Sequence, residues 1–292
     1  MHLAFIGFGL IGGSIARAVR ANAGSADWTM AAWSPSGEGP RQALAEGIVD
    51  TAAAAPEAVL GGADLVVLAA PVSACLALLD RLAGPWHSLM SAGAVVTDVA
   101  STKARLVERA DAVGLRFVGG YPMAGRETAG FDAGAADLFV DRPWVVVPGA
   151  QASTADVERV TDLVHACSAR VVVLDALVHD RAVAGISHLP LVVAAALVES
   201  VAGPAGAGSG DWAVAAGLAA GGWRDTTRVA RGDPAMGAAI VATNAAALAA
   251  RVRDLRVVLD TWLTELERVD GPDEALVARR LAAARALLDP TP

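Results

Sequence analysis

The sequence has almost no cysteine: Cys75 and Cys167 are the two in 292 residues, and neither lies near a second thiol or a metal-like cluster. That excludes a disulfide framework or a thiolate metal site and reads as two buried core thiols in a reducing, cytoplasmic setting. Excess positive charge is missing too. A formal charge of −8 argues against a nucleic-acid surface or an anionic membrane, so a few local arginines or lysines must hold any anionic ligand. No basic segment precedes an apolar one at the N-terminus, so no signal peptide is expected. A long unbroken apolar run is also absent. The most apolar window, Ala182 to Val198, is interrupted by His188 and Pro190 and reads as a buried helix rather than a membrane span. Apolar residues in general are plentiful, at 54% against 18% charged, enough for a folded protein, and the length suits two domains.

The most informative stretch is Leu3 to Ala16, LAFIGFGLIGGSIA. Its apolar start reads as a strand buried on both faces, and a helix follows the glycines. Gly7, Gly9 and Gly12, with Leu10 and Ile11 between them, form GxGxxG in the setting that binds a dinucleotide: a tight turn, a close approach of backbone to pyrophosphate, and the positive end of a helix. The second strand, Thr29 to Trp33, ends at Ser34, where this arrangement places the adenosine ribose. The carboxylate that would bind a 2′-hydroxyl and repel a 2′-phosphate is lacking. With Ser36 and Arg41 close behind, the cofactor is read as NAD or NADP with a lean to NADP, although Glu38 is near enough to oppose it.

Strand and helix then alternate. Strands are expected at Asp64 to Ala70, Ala94 to Asp98, Arg116 to Gly119, Arg142 to Pro148 and Ala169 to Asp175, with helices at Val72 to Ala83, Ala104 to Ala112 and Thr154 to Cys167. Ligands lie beyond the carboxyl ends of such strands, which puts Asp98, Ser101 and Lys103 on the functional edge, Asp98 toward the cofactor. Ser101 reads equally as a helix N-cap. Strand patterning stops after Asp175, and His179 to Ser200, Trp212 to Ala220, Pro234 to Leu263 and Asp273 to Leu288 read as helices, with a break at Ala202 to Gly210. The expected fold is α/β: a Rossmann-like parallel-sheet domain over residues 1–175 and an all-helical domain over 176–292. A 30-residue apolar helix is too long for so small a domain to cover, so a homodimer through these helices is expected.

Five segments, GFGLIGGS, DVASTKARLVE, GGYPMAGRETAG with DRPWVVVP, HDRAVAGISHLP and GGWRDTTRVARGDP, together resemble the prephenate/arogenate dehydrogenase (TyrA) family, in order and over nearly the whole chain. The resemblance implies NAD(P)-dependent oxidative decarboxylation of a small cyclohexadiene acid in tyrosine biosynthesis, with a Rossmann domain and a helical dimerisation domain and no resident metal. It leaves no room for a C-terminal ACT domain or an N-terminal chorismate mutase extension. By motif, Arg228 resembles the substrate-carboxylate arginine, Arg224 a nearby basic residue, Ser101 the serine at the ring hydroxyl and nicotinamide, His188 a pocket histidine, and Glu127 an acidic gate.

One residue that the resemblance requires is missing. The family's catalytic histidine lies between GG and PMAG, where this chain has Tyr121. A phenol near ~10 is a poor base at neutral pH, whereas an imidazole near ~6.5 is a good one. Three accounts stand: Tyr121 is an activated phenolate beside Lys103 or an arginine; Tyr121 only orients substrate and another base such as His188 acts; or the substrate is 4-amino-4-deoxyprephenate, whose amine needs no histidine. An inactive nucleotide-binding relative is the reading from a different class.

Overall fold

Five short apolar runs become parallel strands: β1 (His2–Ile6), β2 (Thr29–Trp33), β3 (Thr51–Ala52), β4 (Leu65–Leu68) and β5 (Val95–Asp98). The computed structural model describes residues 1–22, 28–126, 128–203 and 212–288. The strands lie in the order β3-β2-β1-β4-β5, with Ile6 level with Trp33 on one side and with Leu68 on the other. Alternation of side chains sends Leu3 and Phe5 to one core cluster and Ala4 and Ile6 to another. Helices α1 (Leu10–Asn22), α2 (Glu38–Ala45), α3 (Val72–Ala83), α4 (Ala104–Ala112) and α5 (Thr154–Ala166) accompany the strands. Residues of α1 and α5 fill the first cluster and those of α3 and α4 the second. Chain order reverses beside β1, so β1 and β4 end at a switch point open to a ligand.

A smaller sheet follows, β6 (Val118–Pro122), β7 (Pro143–Pro148) and β8 (Arg170–Val173), and Phe117 joins it to β5 by a parallel bridge with Val96. Here β6 runs antiparallel to β7, an exception to the parallel pattern. A parallel pair needs a crossover, usually helical, whereas the segment from Met123 to Arg142 holds no helix among its described residues.

After Val173 the described residues are helical: α6 (Ala176–Val183), a π-turn (Ala184–His188), α7 (Leu189–Ala202), α8 (Trp212–Leu218), α9 (Gly221–Thr227), a 3₁₀ turn (Arg228–Arg231), α10 (Pro234–Thr243), α11 (Ala245–Leu266) and α12 (Glu274–Leu288). By its contacts the chain divides into Met1–Ala245 and Ala246–Pro292. In the second unit α11 and α12 are tied together by Arg280, which donates to Thr261 and lies over the Trp262 ring.

Two expectations need correction. The apolar stretch around Ala182 to Val198 is not buried within one chain: the helical run Ala176–Ala202 is long and apolar enough to cross a membrane, and only 22% of its most apolar window is covered. The helix expected from Pro234 to Leu263 is broken at Asn244, which leaves helical geometry (φ −121°) and turns its amide inward to the Asp180 carbonyl. The expected break at Ala202 to Gly210 lies largely outside the described residues, as does Glu127.

Candidate functional site

A groove of about 880 Å³ opens at the switch point, lined by Gly7, Gly9, Ser34, Ser36, Ala69 and Phe131 among others. Gly7 holds φ at +89°, and a side chain there would collide with the Ala69 carbonyl. Nothing lies within 4 Å of where a Gly9 Cβ would stand, so its backbone faces open space. A Gly12 Cβ would meet the Ala69 Cβ at 3.1 Å, which fits close packing of α1 on the sheet. Leu10 and Ile11 open α1, whose first N–H groups and dipole favour an anion. These features suit the pyrophosphate of a dinucleotide. Arg41 stays outside the groove and donates to the Ser36 carbonyl at 3.3 Å, while Glu38, Asp132 and Arg81 are the charged side chains that line it.

Asp98 is not on the groove, contrary to the sequence reading. It is fully buried in an ion pair with Lys103, the chain's one lysine, and also accepts the N–H groups of Ala100 (2.9 Å) and Gly120 (3.2 Å). One carboxylate thus fastens the Ser101 turn to the strand that carries Tyr121. Ser101 is not the N-cap of α4 either; that helix begins after Lys103. The cap comes from α6, where Asp180 accepts the N–H groups of Lys103 (2.8 Å) and Ala104 (2.9 Å).

Asp180 also accepts from His179 Nδ1 at 2.8 Å, and the His179 ring stands edge-on to Tyr121, centroids 5.4 Å apart. Asn244 donates to the Asp180 carbonyl (2.8 Å) and contacts His188 Nδ1 (3.1 Å). Tyr121 and His188 therefore meet at one buried polar cluster, to which the turn holding Ser101 is tied through the N–H groups of Ala100 and Lys103, whereas Arg224 and Arg228 are exposed on α9 and the 3₁₀ turn after it. Burial pushes the Tyr121 phenol above its ordinary value, only partly offset by its hydrogen bond with Ser187. Lys103 is committed to Asp98 and no cation among the described residues is an influence on the Tyr121 phenol, so the geometry gives no support to an activated phenolate. Burial holds His188 at about 4, despite the nearby Asp180 carboxylate. Burial also works to raise the Asp180 carboxyl, yet hydrogen bonds from His179 and the two backbone N–H groups keep it below the ordinary range.

His179, Asp180 and Asn244 are members of this cluster that sequence reading did not single out. Their signal was faint: a His-Asp pair nine residues before His188, and one amide in an alanine-rich helix.

Comparison with known proteins places this geometry. Residues 15–173 match the family model "Prephenate dehydrogenase, nucleotide-binding domain", and residues 175–278 match "Prephenate dehydrogenase, dimerization domain". The chain is 33% identical to a prephenate dehydrogenase of Bacillus subtilis over 90% of its own length and 67% of that protein. Its fold superposes on the crystal structure of Synechocystis arogenate dehydrogenase with a TM-score of 0.80 at 30% identity, covering 99% of this chain and 100% of that one. A prephenate dehydrogenase from A. aeolicus, crystallised with hydroxyphenyl propionate and NAD+, shares the fold with a TM-score of 0.86 at 24% identity, covering 99% of this chain and 98% of that one.

Proposed function

The chain belongs to the prephenate dehydrogenase family, a family of oxidoreductases, and on that premise we propose that it oxidatively decarboxylates prephenate or arogenate with a nicotinamide dinucleotide. The observation that carries this reading is the match of both halves, in order, to the two domains of one family, with the glycine groove where the first domain needs it. We take residues 1–175 as the cofactor domain and residues 176–292 as the part that completes the substrate site and the dimer.

The groove residues fit the cofactor. Gly7, Gly9 and the start of α1 would hold the pyrophosphate, and Ser34 and Ser36 the adenosine ribose. When bound, the nicotinamide supplies the hydride acceptor. The lean to NADP rested on Ser34 in place of a carboxylate with Ser36 and Arg41 behind it; Arg41 lies outside the groove, whereas two carboxylates and one arginine line it. That balance favours NAD. The protein's own part is to bind and orient: Arg228 and Arg224 with carboxylates, as the fork of arginine suits, and Ser101 with the ring hydroxyl. Neutral His188 is a hydrogen-bond donor in the pocket, and Glu127 is its gate.

A homodimer is supported by the match to a dimerization domain and by apolar side chains left open within one chain, among them Leu259 and Leu263. A cytoplasmic location is in keeping with two free, buried thiols. The amino-substrate and inactive-relative readings gain no support from the comparisons. The test is to mix the protein with prephenate or arogenate and NAD+ or NADP+ in all four combinations. Cofactor reduction is expected in at least one, faster with NAD+, and reduction in none overturns the reading.

A further inference from the structure

Four polar side chains meet beside Tyr121, and their hydrogen bonds fix which ring nitrogen of each neutral imidazole carries the proton. A carboxylate only accepts, so the His179 Nδ1 at 2.8 Å from Asp180 Oδ1 carries a proton and donates. In the neutral imidazole Nε2 is therefore bare. A backbone carbonyl also only accepts, which fixes the atom 2.8 Å from the Asp180 carbonyl as the Asn244 amide nitrogen. That nitrogen donates as well to His188 Nδ1 at 3.1 Å, so the His188 proton sits on Nε2. The two imidazoles thus offer opposite ends, an acceptor at His179 Nε2 and a donor at His188 Nε2. Both nitrogens are buried, and neither has a hydrogen-bond partner among the described residues. A buried polar atom left without a partner costs about 1–3 kcal/mol, and its retention asks for an explanation such as a catalytic role.

We propose that His179 Nε2 takes the proton from the reacting ring hydroxyl, with Asp180 as its orienting carboxylate and Tyr121 as the ring that shields it. The inference rests on the function proposed above. The groups facing His179 are Asp180 on its own helix, Tyr121 from β6 and His188 from the π-turn, while Lys103 at the start of α4 meets Asp180 through its backbone N–H. Tyr121 is a protonated phenol, the bare nitrogen of His188 is occupied by Asn244, and Lys103 is paired with Asp98. His179 is the base that remains, and a carboxylate on the far side of an imidazole fixes its tautomer and stabilises the imidazolium that forms.

The step balances as follows. The C–H bond at the hydroxyl-bearing carbon breaks and its electron pair leaves as hydride to the oxidised nicotinamide dinucleotide, while the O–H proton goes to His179 Nε2. The bond to the ring carboxylate then breaks and carbon dioxide leaves. The freed electron pair makes the ring aromatic, and the phenolate oxygen recovers the proton from His179.

The test combines kcat and KM across pH for the native chain, His179→Gln and Tyr121→Phe with ¹⁵N spectra of histidine in the native protein. A bare Nε2 at His179 and a protonated Nε2 at His188 are expected in the spectra. His179→Gln should lose about 10²–10⁴ in kcat with KM near native, and should lose the acid limb of the pH profile. Tyr121→Phe, which keeps the ring and removes only the hydroxyl, should retain that limb; loss of the limb would make the phenol the proton acceptor and overturn the inference. A His179→Gln enzyme with native kcat and an unchanged profile overturns the inference while leaving the proposed reaction intact. If that variant does not fold, the spectra decide: a proton on His179 Nε2 overturns it. A native chain that reduces no cofactor overturns the proposed reaction itself and this inference with it.

Discussion

The two ends of this chain use apolar residues in opposite ways. Every residue from Leu3 to Ile6 and from Leu65 to Leu68 is fully buried, because helices cover both faces of the parallel sheet. The cofactor half is complete within one chain. At the other end, Leu259 and Leu263, one turn apart on α11, are 55% and 51% exposed, and neither α10 nor α12 has a buried residue. α10 is apolar all round and α11 carries exposed leucines among its charges, surfaces that need a cover their own chain does not supply. Apolar content alone did not separate these cases; the number of faces that must be covered did.

The sharpest break in the comparison would come at the Lys103–Asp98 pair, inside the self-sufficient half. Lys103→Met leaves a buried carboxylate without its cation and should cost about 3–5 kcal/mol in urea unfolding. Breaking the partly exposed Arg17–Glu46 pair should cost less than about 1 kcal/mol. Equal losses would mean that the first pair is not desolvated.

Acidity should act next. His188 sits at about 4 when folded, below its ordinary 6.5, so between those values the unfolded chain binds the extra proton. Its contribution is full above pH 6.5 and is lost as pH falls toward 4, about 3 kcal/mol in all. His188→Gln should flatten the stability curve over that interval, and an unchanged slope would place the titration elsewhere.

Within the groove, Gly7→Ala should destabilise by about 1–3 kcal/mol, since it forces a side chain into a left-handed turn against the Ala69 carbonyl. Gly9→Ala should leave stability within about 0.5 kcal/mol, yet lower cofactor affinity about tenfold or more by intruding where backbone meets phosphate. Calorimetric binding of NAD+ alongside thermal unfolding separates the two. If both lose stability alike, the Gly9 site is packed rather than open.

The smallest effect on the single chain, and the largest on assembly, should come from Leu259→Glu with Leu263→Glu. Exposed in one chain, these changes should move its stability by no more than about 0.5 kcal/mol, while sedimentation shifts from dimer to monomer. An unaltered dimer would place the interface on other helices.

How much was legible in the sequence follows the same division. The glycine fingerprint and the strands were readable because local spacing determines them, whereas Ser101, Tyr121 and His188 were brought forward by resemblance of motifs. The Asp180 cap on α4 joins residues 76 and 77 positions apart, and no local pattern announces it. Asn244 breaks a helix that its neighbours favour, because its amide is needed at Asp180 and His188. Asp98 stood at the expected strand end, but which way its carboxylate turns depends on Lys103, which the strand pattern does not determine. The reversed direction of β6 depends on the segment after it forming no helix.

The most direct measurement of the central claim is the yield of carbon dioxide per reduced cofactor when the native chain acts on prephenate or arogenate. The account predicts one carbon dioxide for each nicotinamide reduced, because the ring oxidised by hydride loss becomes aromatic by expelling its carboxylate. Reduction without carbon dioxide would mean an ordinary alcohol oxidation on this fold and would contradict it.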